Sequence, residues 1–258
     1  MTLSIAVAGK GGIGKTTLSA LLIRALCDEE ISPVLAVDAD PNSNLAEALG
    51  VEASRTLAEI REHGSSPEGS PASGVGRARA VGDEIQRSIT EAAGFDLVTM
   101  GRPEGPRCYC YVNSLLRRSL DELSRNYRAV VLDNEAGMEH LSRRTTNDID
   151  VLIAVMNPTL PSIRAAKRIL ELSRELPIRI ARRTILVNRV GEDGLPEEIE
   201  EAVAALDGER LPGVPQDDEL ERLGAFEQDV FCLPATSPAL AAVRRAVEEL
   251  SANTYSKT

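Results

Sequence analysis

The sequence predicts a doubly wound α/β fold, in which a mostly parallel sheet carries helices on both faces. Six short runs are rich in Val, Ile, Leu and Ala and have the length of buried strands. They are residues 4–8, 34–37, 96–100, 129–132, 151–155 and 184–187. Amphipathic segments separate most of these runs, which is typical of strands that are covered on both sides. Ligands of such folds bind outside the carboxyl ends of the strands.

Helices are predicted where apolar residues recur at intervals of three and four. Behind the first strand this pattern begins at Leu18 and continues to Leu26. Further segments with the same periodicity are residues 115–127, 161–176, 197–206 and 238–250. Since no linker interrupts the alternation of strands and helices, we expect a single domain that spans residues 1–258.

The composition indicates an aliphatic core. Hydrophobic residues make up 43% of the chain, but aromatic residues only 3%. Two segments contribute little to this core. Residues 63–76 are mostly Gly, Ser, Pro and Ala and are predicted to form a mobile loop or lid, and the polar residues 251–258 are expected to fray.

The formal net charge is -11. Binding to nucleic acid or to an anionic membrane rests on Lys and Arg, so we expect neither partner. No apolar run reaches the roughly 18 residues of a membrane span, and the start of the sequence does not resemble a signal peptide. These features predict a cytoplasmic protein.

The first strand runs directly into the pattern G-x-x-x-x-G-K-T, which is a P-loop in its expected place between a strand and a helix. Glycines let backbone N–H groups converge on a phosphate, Lys15 reaches the terminal phosphates, and the Thr16 hydroxyl ligates magnesium. One lysine is enough for this task, so the second one, Lys10, requires a separate explanation. The predicted phosphate-binding residues are Gly9, Lys10, Gly11, Gly12, Ile13, Gly14, Lys15, Thr16 and Thr17.

Three acidic residues follow predicted strands. Asp38 and Asp40 come after the second strand, where Asp38 could support the magnesium shell and Asp40 could position or deprotonate water. Asp133 ends the fourth strand and suits a Walker-B residue, which contacts magnesium directly or through water. The alternatives are an Asp-Pro turn that caps the helix near Asn44, and a simple helix cap at Asp133.

These segments resemble the MinD/Par class of P-loop ATPases, with its deviant Walker A motif K-G-G-x-G-K-[ST] and its D-x-D switch. The resemblance spans essentially the whole chain. It implies an ATPase that binds ATP or ADP with Mg²⁺ and works as a homodimer. It also implies that Lys10 reaches the phosphates of the partner subunit's ATP, and that Asp40 aids the attack of water.

The same resemblance extends to the nucleotide base. Asn188 and Arg189 follow the last predicted strand and look like the adenine-reading Asn of the family and its neighbour. Pro215 and Asp217 look like the second base-contacting loop. All four are therefore expected to bind nucleotide.

Cys108 and Cys110 are separated by one residue. In an extended stretch, residues i and i+2 face the same way, so both thiolates can approach one metal. A site of four ligands needs two more, which a second chain related by a two-fold axis would supply. The alternative is that two small residues pack at a helix start. Cys27 and Cys232 lie among apolar neighbours and are predicted to be core residues.

The Cys-x-Cys segment and the run from Asp133 to Arg144 resemble the CooC-type ATPases, which help to insert nickel into carbon monoxide dehydrogenase. Glu135 stands where other MinD relatives have proline, and no role follows for it. The resemblance implies a nickel site at the two thiolates, which zinc could also occupy, and a client such as carbon monoxide dehydrogenase or acetyl-CoA synthase. Alternatives are a spatial organiser, an intersubunit iron–sulfur protein and a metal-free scaffold.

Overall fold

The computed structural model describes residues 2–40, 42, 44–59, 82–101, 121–134 and 148–255, with the backbone alone for 253–255. The strands are β1 (Leu3–Gly9), β2 (Val34–Asp38), β3 (Thr90–Glu91), β4 (Phe95–Thr99), β5 (Ala129–Asp133), β6 (Asp148–Met156), β7 (Arg179–Val190), β8 (Glu209–Arg210) and β9 (Val214–Pro215). The helices that lie wholly within the described residues are α1 (Lys15–Asp28), α2 (Leu45–Ala48), α3 (Leu160–Glu175), α4 (Glu197–Ala204), α5 (Asp218–Ala225), a 3-10 helix (Val230–Cys232) and α6 (Pro238–Tyr255). Residues 57–59, 82–88 and 121–124 are also helical.

The described strands form one sheet in the order β3-β4-β2-β5-β1-β6-β7-β8, and β9 pairs with β7. All strand pairs are parallel except β3 with β4. All six predicted strands are present, and the predicted doubly wound architecture is confirmed. β6 and β7 are longer than predicted, because their first residues are polar and lie at the half-exposed end of the sheet.

Apolar side chains cover both faces of the sheet. One face packs against α1 and α6 through residues such as Ile5, Val7 and Leu22. The other face packs against α3 and α4 and includes Leu152 and Ile163. The core is aliphatic, as the composition predicts.

The last helix is longer than the predicted 238–250. α6 continues to Tyr255, so residues 251–255 of the predicted tail are helical. No glycine or proline stands in this stretch to end the helix, and the Ser251 hydroxyl donates to the Glu248 carbonyl at 3.1 Å. Of the other predicted features, the 63–76 loop, Cys108, Cys110 and Glu135 lie outside the described residues. Within the described ranges no helix has the length and apolar character to cross a membrane.

The topology brings the predicted site residues together. β5 lies between β1 and β2, and in this register Asp133 is paired with both Val7 and Asp38. The P-loop therefore leaves the sheet beside the ends of two strands that carry carboxylates. β6 and β7 continue the sheet on the other side of β1, which brings Asn188 to the same edge.

Candidate nucleotide-binding site

The loop between β1 and α1 depends on its glycines. Gly12 and Gly14 have φ values of 78° and 88°, in the left-handed region that only glycine adopts readily. At Gly9 an added Cβ would lie 2.8 Å from the Val155 carbonyl oxygen of the neighbouring strand. Space and backbone angles thus require glycine at these positions, and the loop leads directly into the first turn of α1 at Lys15.

The two lysines of the loop have different environments. Lys15 is buried, and its Nζ donates to the Lys10 carbonyl at 3.4 Å, so its ammonium group lies over the loop backbone. Lys10 is exposed. Of the two lysines, Lys15 is therefore the one whose ammonium group contacts the backbone of its own loop.

Asp133 is held from α1. Its Oδ1 accepts a hydrogen bond from the Ser19 hydroxyl at 3.1 Å, and the Thr16 hydroxyl lies near enough to lower the pKa of the same carboxyl group. Burial raises the pKa of Asp133, while these two hydroxyls and the nearby Lys15 ammonium act in the opposite direction. Among the described residues, nothing donates a hydrogen bond to its buried Oδ2. A carboxylate oxygen in this situation, next to a Thr hydroxyl, fits hydrated magnesium.

Ser19 was not predicted, although the sequence contains a signal for it. It stands three residues after Thr16 and four after Lys15, so all three lie on one face of α1. Its side chain is fully buried, and a buried hydroxyl needs a partner, which is Asp133. Sequence reasoning could have placed a supporting donor at this position.

Asp38 and Asp40 both organise the loop after β2. The fully buried Asp38 accepts hydrogen bonds from the backbone N–H groups of Asp40 at 3.1 Å and Leu45 at 3.0 Å. The half-buried Asp40 accepts from the Asn42 N–H at 2.8 Å. Asp40 thus closes a turn, and Asp38 accepts from the first N–H of α2, whose N-cap position is Asn44. The roles of Asp38 toward magnesium and of Asp40 toward water remain predictions.

Asp38 is expected to make stability depend on pH. Burial, the largest cause, and the nearby Asp133 and Asp40 charges raise its pKa to about 7, although the two backbone hydrogen bonds act against this. The native state therefore binds more protons than the unfolded state between about pH 4 and 7, so stability falls as the pH rises through this window.

The contribution of Asp38 to this slope is at most about 1.4 kcal/mol per pH unit. Asp38→Asn should remove it, which urea unfolding of the nucleotide-free protein at pH 5, 6, 7 and 8 would measure. Because Asn has one acceptor oxygen fewer than Asp, the free energy of unfolding will fall at every pH. The quantity to compare between the two proteins is therefore the slope of this free energy against pH. An unchanged slope would contradict the raised pKa.

A cavity of about 440 Å³ adjoins the P-loop. Its walls include Gly14 and Thr17 on one side, Asn188 and Arg189 of β7 on another, and residues of the segment 215–224 opposite. The structure thus brings the predicted base-binding residues Asn188, Arg189, Pro215 and Asp217 around one space, together with two of the predicted loop residues. Gln216, Leu220, Glu221 and Gly224 also line it and were not predicted.

Asn188 connects this cavity to the P-loop. Its side-chain Nδ2 donates to the Ile13 carbonyl at 2.8 Å, and its Oδ1 accepts from the Arg189 N–H at 3.0 Å. A Cβ at position 14 would lie 2.8 Å from this Nδ2, so Gly14 is required here for a second reason. Arg189 has a φ of 57°, an uncommon angle for a residue other than glycine. The Nδ2 and Oδ1 atoms of Asn188 can each form one further hydrogen bond, in addition to those with Ile13 and Arg189.

The described cysteines are poor metal ligands. Burial raises the pKa of the Cys27 thiol to about 11, and the Asp229 charge raises the pKa of Cys232. Cys232 is exposed, so its assignment to the core is wrong; in this short helix Val230 is the buried residue. Among the described residues, no three His, Cys, Asp or Glu side chains form a group that could hold a metal ion.

A glycine loop between strand and helix, a buried lysine over that loop, and a Thr–Asp pair beside it define a P-loop nucleotide-binding protein. Comparison with known families agrees with this geometry. The family model for the CobQ/CobB/MinD/ParA nucleotide-binding domain matches residues 4–230. The chain therefore belongs to this family and is a P-loop ATPase.

Two relatives share clear sequence similarity. An uncharacterized ATP-binding protein of Methanocaldococcus jannaschii is 43% identical over 189 residues, which cover 72% of this chain and 74% of the relative. The carbon monoxide dehydrogenase accessory protein CooC of Rhodospirillum rubrum is 36% identical over 189 residues, which cover 69% of this chain and 71% of CooC.

Solved structures of MinD share the fold. MinD from Pyrococcus horikoshii in complex with Mg-ADP superimposes with a TM-score of 0.73 at 22% identity, covering 100% of this chain and 99% of MinD. The MinC:MinD complex of Aquifex aeolicus gives the same TM-score and identity and covers 97% of this chain and 96% of the matched one. At this identity the similarity establishes the fold alone.

Proposed function

We propose that this chain is a magnesium-dependent, homodimeric ATPase that couples ATP binding and hydrolysis to the insertion of nickel into carbon monoxide dehydrogenase or a related nickel enzyme. The observation that carries the proposal is its 36% identity, over 69% of the chain, to a carbon monoxide dehydrogenase accessory protein. The dimer would act in the cytoplasm, where thiols are kept reduced.

The described side chains support the nucleotide part of this proposal. Lys15 and the P-loop N–H groups would bind the phosphates, while Thr16 and Asp133 would hold magnesium. Magnesium, when bound, neutralises charge on the phosphates. Asp40, half-buried at the same edge of the sheet, would orient the attacking water, and the cavity beside Asn188 and Arg189 would take the base.

Lys10 is the residue that we expect to act on the second subunit. Its side chain is exposed and Lys15 already serves its own loop, so the Lys10 ammonium is available to a nucleotide across a dimer axis. A charge-assisted contact of this kind contributes about 1.5–3 kcal/mol.

Lys10→Ala should therefore weaken ATP-induced dimerisation at least tenfold, while the monomer binds ATP within about threefold of wild type. Light scattering with a non-hydrolysable ATP analogue gives the first value and calorimetry the second. Lys167→Ala, an exposed lysine on α3, is the control and should change neither. If Lys10→Ala dimerises with ATP as readily as wild type, Lys10 does not act on the nucleotide of the second subunit.

The Cys108 and Cys110 thiolates of two subunits would provide four ligands for one metal ion, which is cargo and not catalyst. Closure of the dimer around ATP would assemble this site and hydrolysis would release it, so that metal capture follows the nucleotide state. Zinc competes for the same ligands, so an assay must report both metals.

Two measurements test the proposed function. Metal content per dimer is determined after anaerobic purification, with and without ATP, and nickel-free carbon monoxide dehydrogenase is then incubated with the protein, Ni²⁺ and ATP. We expect about one metal per dimer and ATP-dependent activation of the dehydrogenase. ATP-dependent pelleting with vesicles or DNA would instead indicate a spatial organiser, and visible absorption bands of an iron–sulfur cluster would indicate an electron-transfer protein.

A further inference from the structure

The wall of the base cavity formed by β9 and α5 is anchored in the core by few side chains, chiefly Val214 of β9 and Leu223 of α5. β9 has two residues and pairs only with β7 among the described strands, and the Gln216 N–H donates to the Val190 carbonyl at 2.9 Å. In the eight residues of α5, only Leu223 is buried. Hydrophobic burial therefore does little to fix this segment, although Leu220, Glu221 and Gly224 line the cavity from it.

Asp217, between β9 and α5, supplies a further, polar restraint. Its side chain is 6% exposed, and both carboxylate oxygens are fully engaged. Oδ1 accepts from the N–H groups of Glu219 at 3.0 Å and Leu220 at 3.2 Å, which caps α5. Oδ2 accepts from the Ser237 hydroxyl and from the Ala239 N–H at 3.2 Å, which belong to the start of α6.

We call the Asp217–Ser237 pair the clamp, and the pKa of Asp217 agrees with a buried, ionised carboxylate. Burial acts to raise the pKa of Asp217, but the hydrogen bonds from Ser237 and from the backbone outweigh it, and the pKa is lowered. Ser237 is itself 2% exposed, and its hydroxyl also accepts from the Leu240 N–H at 3.0 Å. Four donors fill the usual lone-pair sites of a carboxylate, so none remains for a nucleotide base.

We infer that Asp217 is a positioning residue: through its bond to Ser237 it fixes the β9–α5 wall against α6, and so sets the affinity of the cavity for the nucleoside part of ATP. α6 packs along α1, the helix that begins at the P-loop, so the clamp places the base wall and the phosphate loop in one rigid frame. The inference rests on ATP binding by this family and is independent of the nickel role.

The clamp predicts a specific pattern of loss. The residues that would bind the phosphates and magnesium lie on the P-loop, α1 and β5, whereas the clamp holds the base wall. Breaking it should weaken ATP and leave inorganic tripolyphosphate, which has no base, unaffected. The expected loss of ATP affinity is about tenfold, which corresponds to about 1.4 kcal/mol and lies within the range for loss of a helix cap.

The test uses the full-length chain with Asp217→Ala, Asp217→Asn and Ser237→Ala. The matched control is Asp229→Ala, since Asp229 caps the 3-10 helix through the Phe231 N–H at 2.8 Å but does not line the cavity. We expect about tenfold weaker ATP binding for Asp217→Ala and about threefold for Ser237→Ala. KM should rise in parallel, while kcat at saturating ATP and tripolyphosphate binding stay within twofold. The control should match wild type.

Two results would overturn the inference. If Asp217 contacts the base itself, Ser237→Ala frees an oxygen and leaves ATP binding unchanged or tighter, while Asp217→Asn shifts the preference between ATP and GTP. If tripolyphosphate binding falls as much as ATP binding, the clamp supports the whole fold and not the base wall. Should Asp217→Ala fail to fold, Ser237→Ala decides between these outcomes, because it keeps the cap of α5. At saturating ATP the metal content per dimer of each variant should match that of wild type, which separates this test from that of the proposed function.

Discussion

Lys15→Ala is expected to weaken ATP binding about a hundredfold or more. The ammonium group is buried over the P-loop backbone, so it meets the phosphates with little solvent screening. Charge-assisted hydrogen bonds are worth up to about 3 kcal/mol each, and 1.4 kcal/mol corresponds to a factor of ten. Calorimetric titration with Mg-ATP measures the loss.

Folding should survive this change. The only hydrogen bond described for the Lys15 side chain is a 3.4 Å contact to Lys10, so the free energy of unfolding should change by less than about 1 kcal/mol. Lys10→Ala serves as the matched control, because it removes the other loop lysine and should retain ATP binding by the monomer. Comparable affinity in Lys15→Ala and wild type would show that the phosphates bind elsewhere.

The second large effect is expected from the double substitution Cys108→Ala with Cys110→Ala. Metal bound per dimer should fall from about one to none, since both thiolates contributed by each chain are removed. ATP affinity should stay within about twofold, because the residues proposed to bind phosphate, magnesium and base lie on the P-loop, α1, β5, β7 and the β9–α5 segment. Anaerobic metal analysis and calorimetry on the same samples give both values.

Cys27→Ala with Cys232→Ala is the control for this experiment. Both thiols have raised pKa values and are therefore poor sources of thiolate, so metal content should not change. Loss of metal in this control, or equal loss of ATP and metal in the Cys108 and Cys110 variant, would contradict the separation of the two sites.

Much of the fold and of the phosphate site could be predicted because the relevant signals are local. A buried parallel strand must be almost continuously apolar, and a P-loop must place its glycines and lysine at fixed intervals. The strand ends then bring Asp38 and Asp133 beside the loop, since parallel neighbours end at the same edge.

The remaining features depend on contacts between distant segments. Nothing near Asp217 in the sequence indicates that Ser237 will occupy its second oxygen, so a residue of the base loop looks like a base ligand. α5 was not predicted, because only two of its residues are strongly apolar. The exposure of Cys232 depends on how the 3-10 helix is held against α1, where Arg24 donates to the Val230 and Leu233 carbonyls.

The register that pairs Asp38 with Asp133 has a consequence for the stability of the nucleotide-free protein. Two buried carboxyl groups on neighbouring strands have raised pKa values, so the ligand-free fold carries an electrostatic cost. Magnesium held at Asp133 would remove part of that cost, and a ligand that binds only the native state adds stability equal to RT ln(1 + [L]/Kd). The resistance of the purified protein to proteolysis would then rise with the concentration of Mg-ATP.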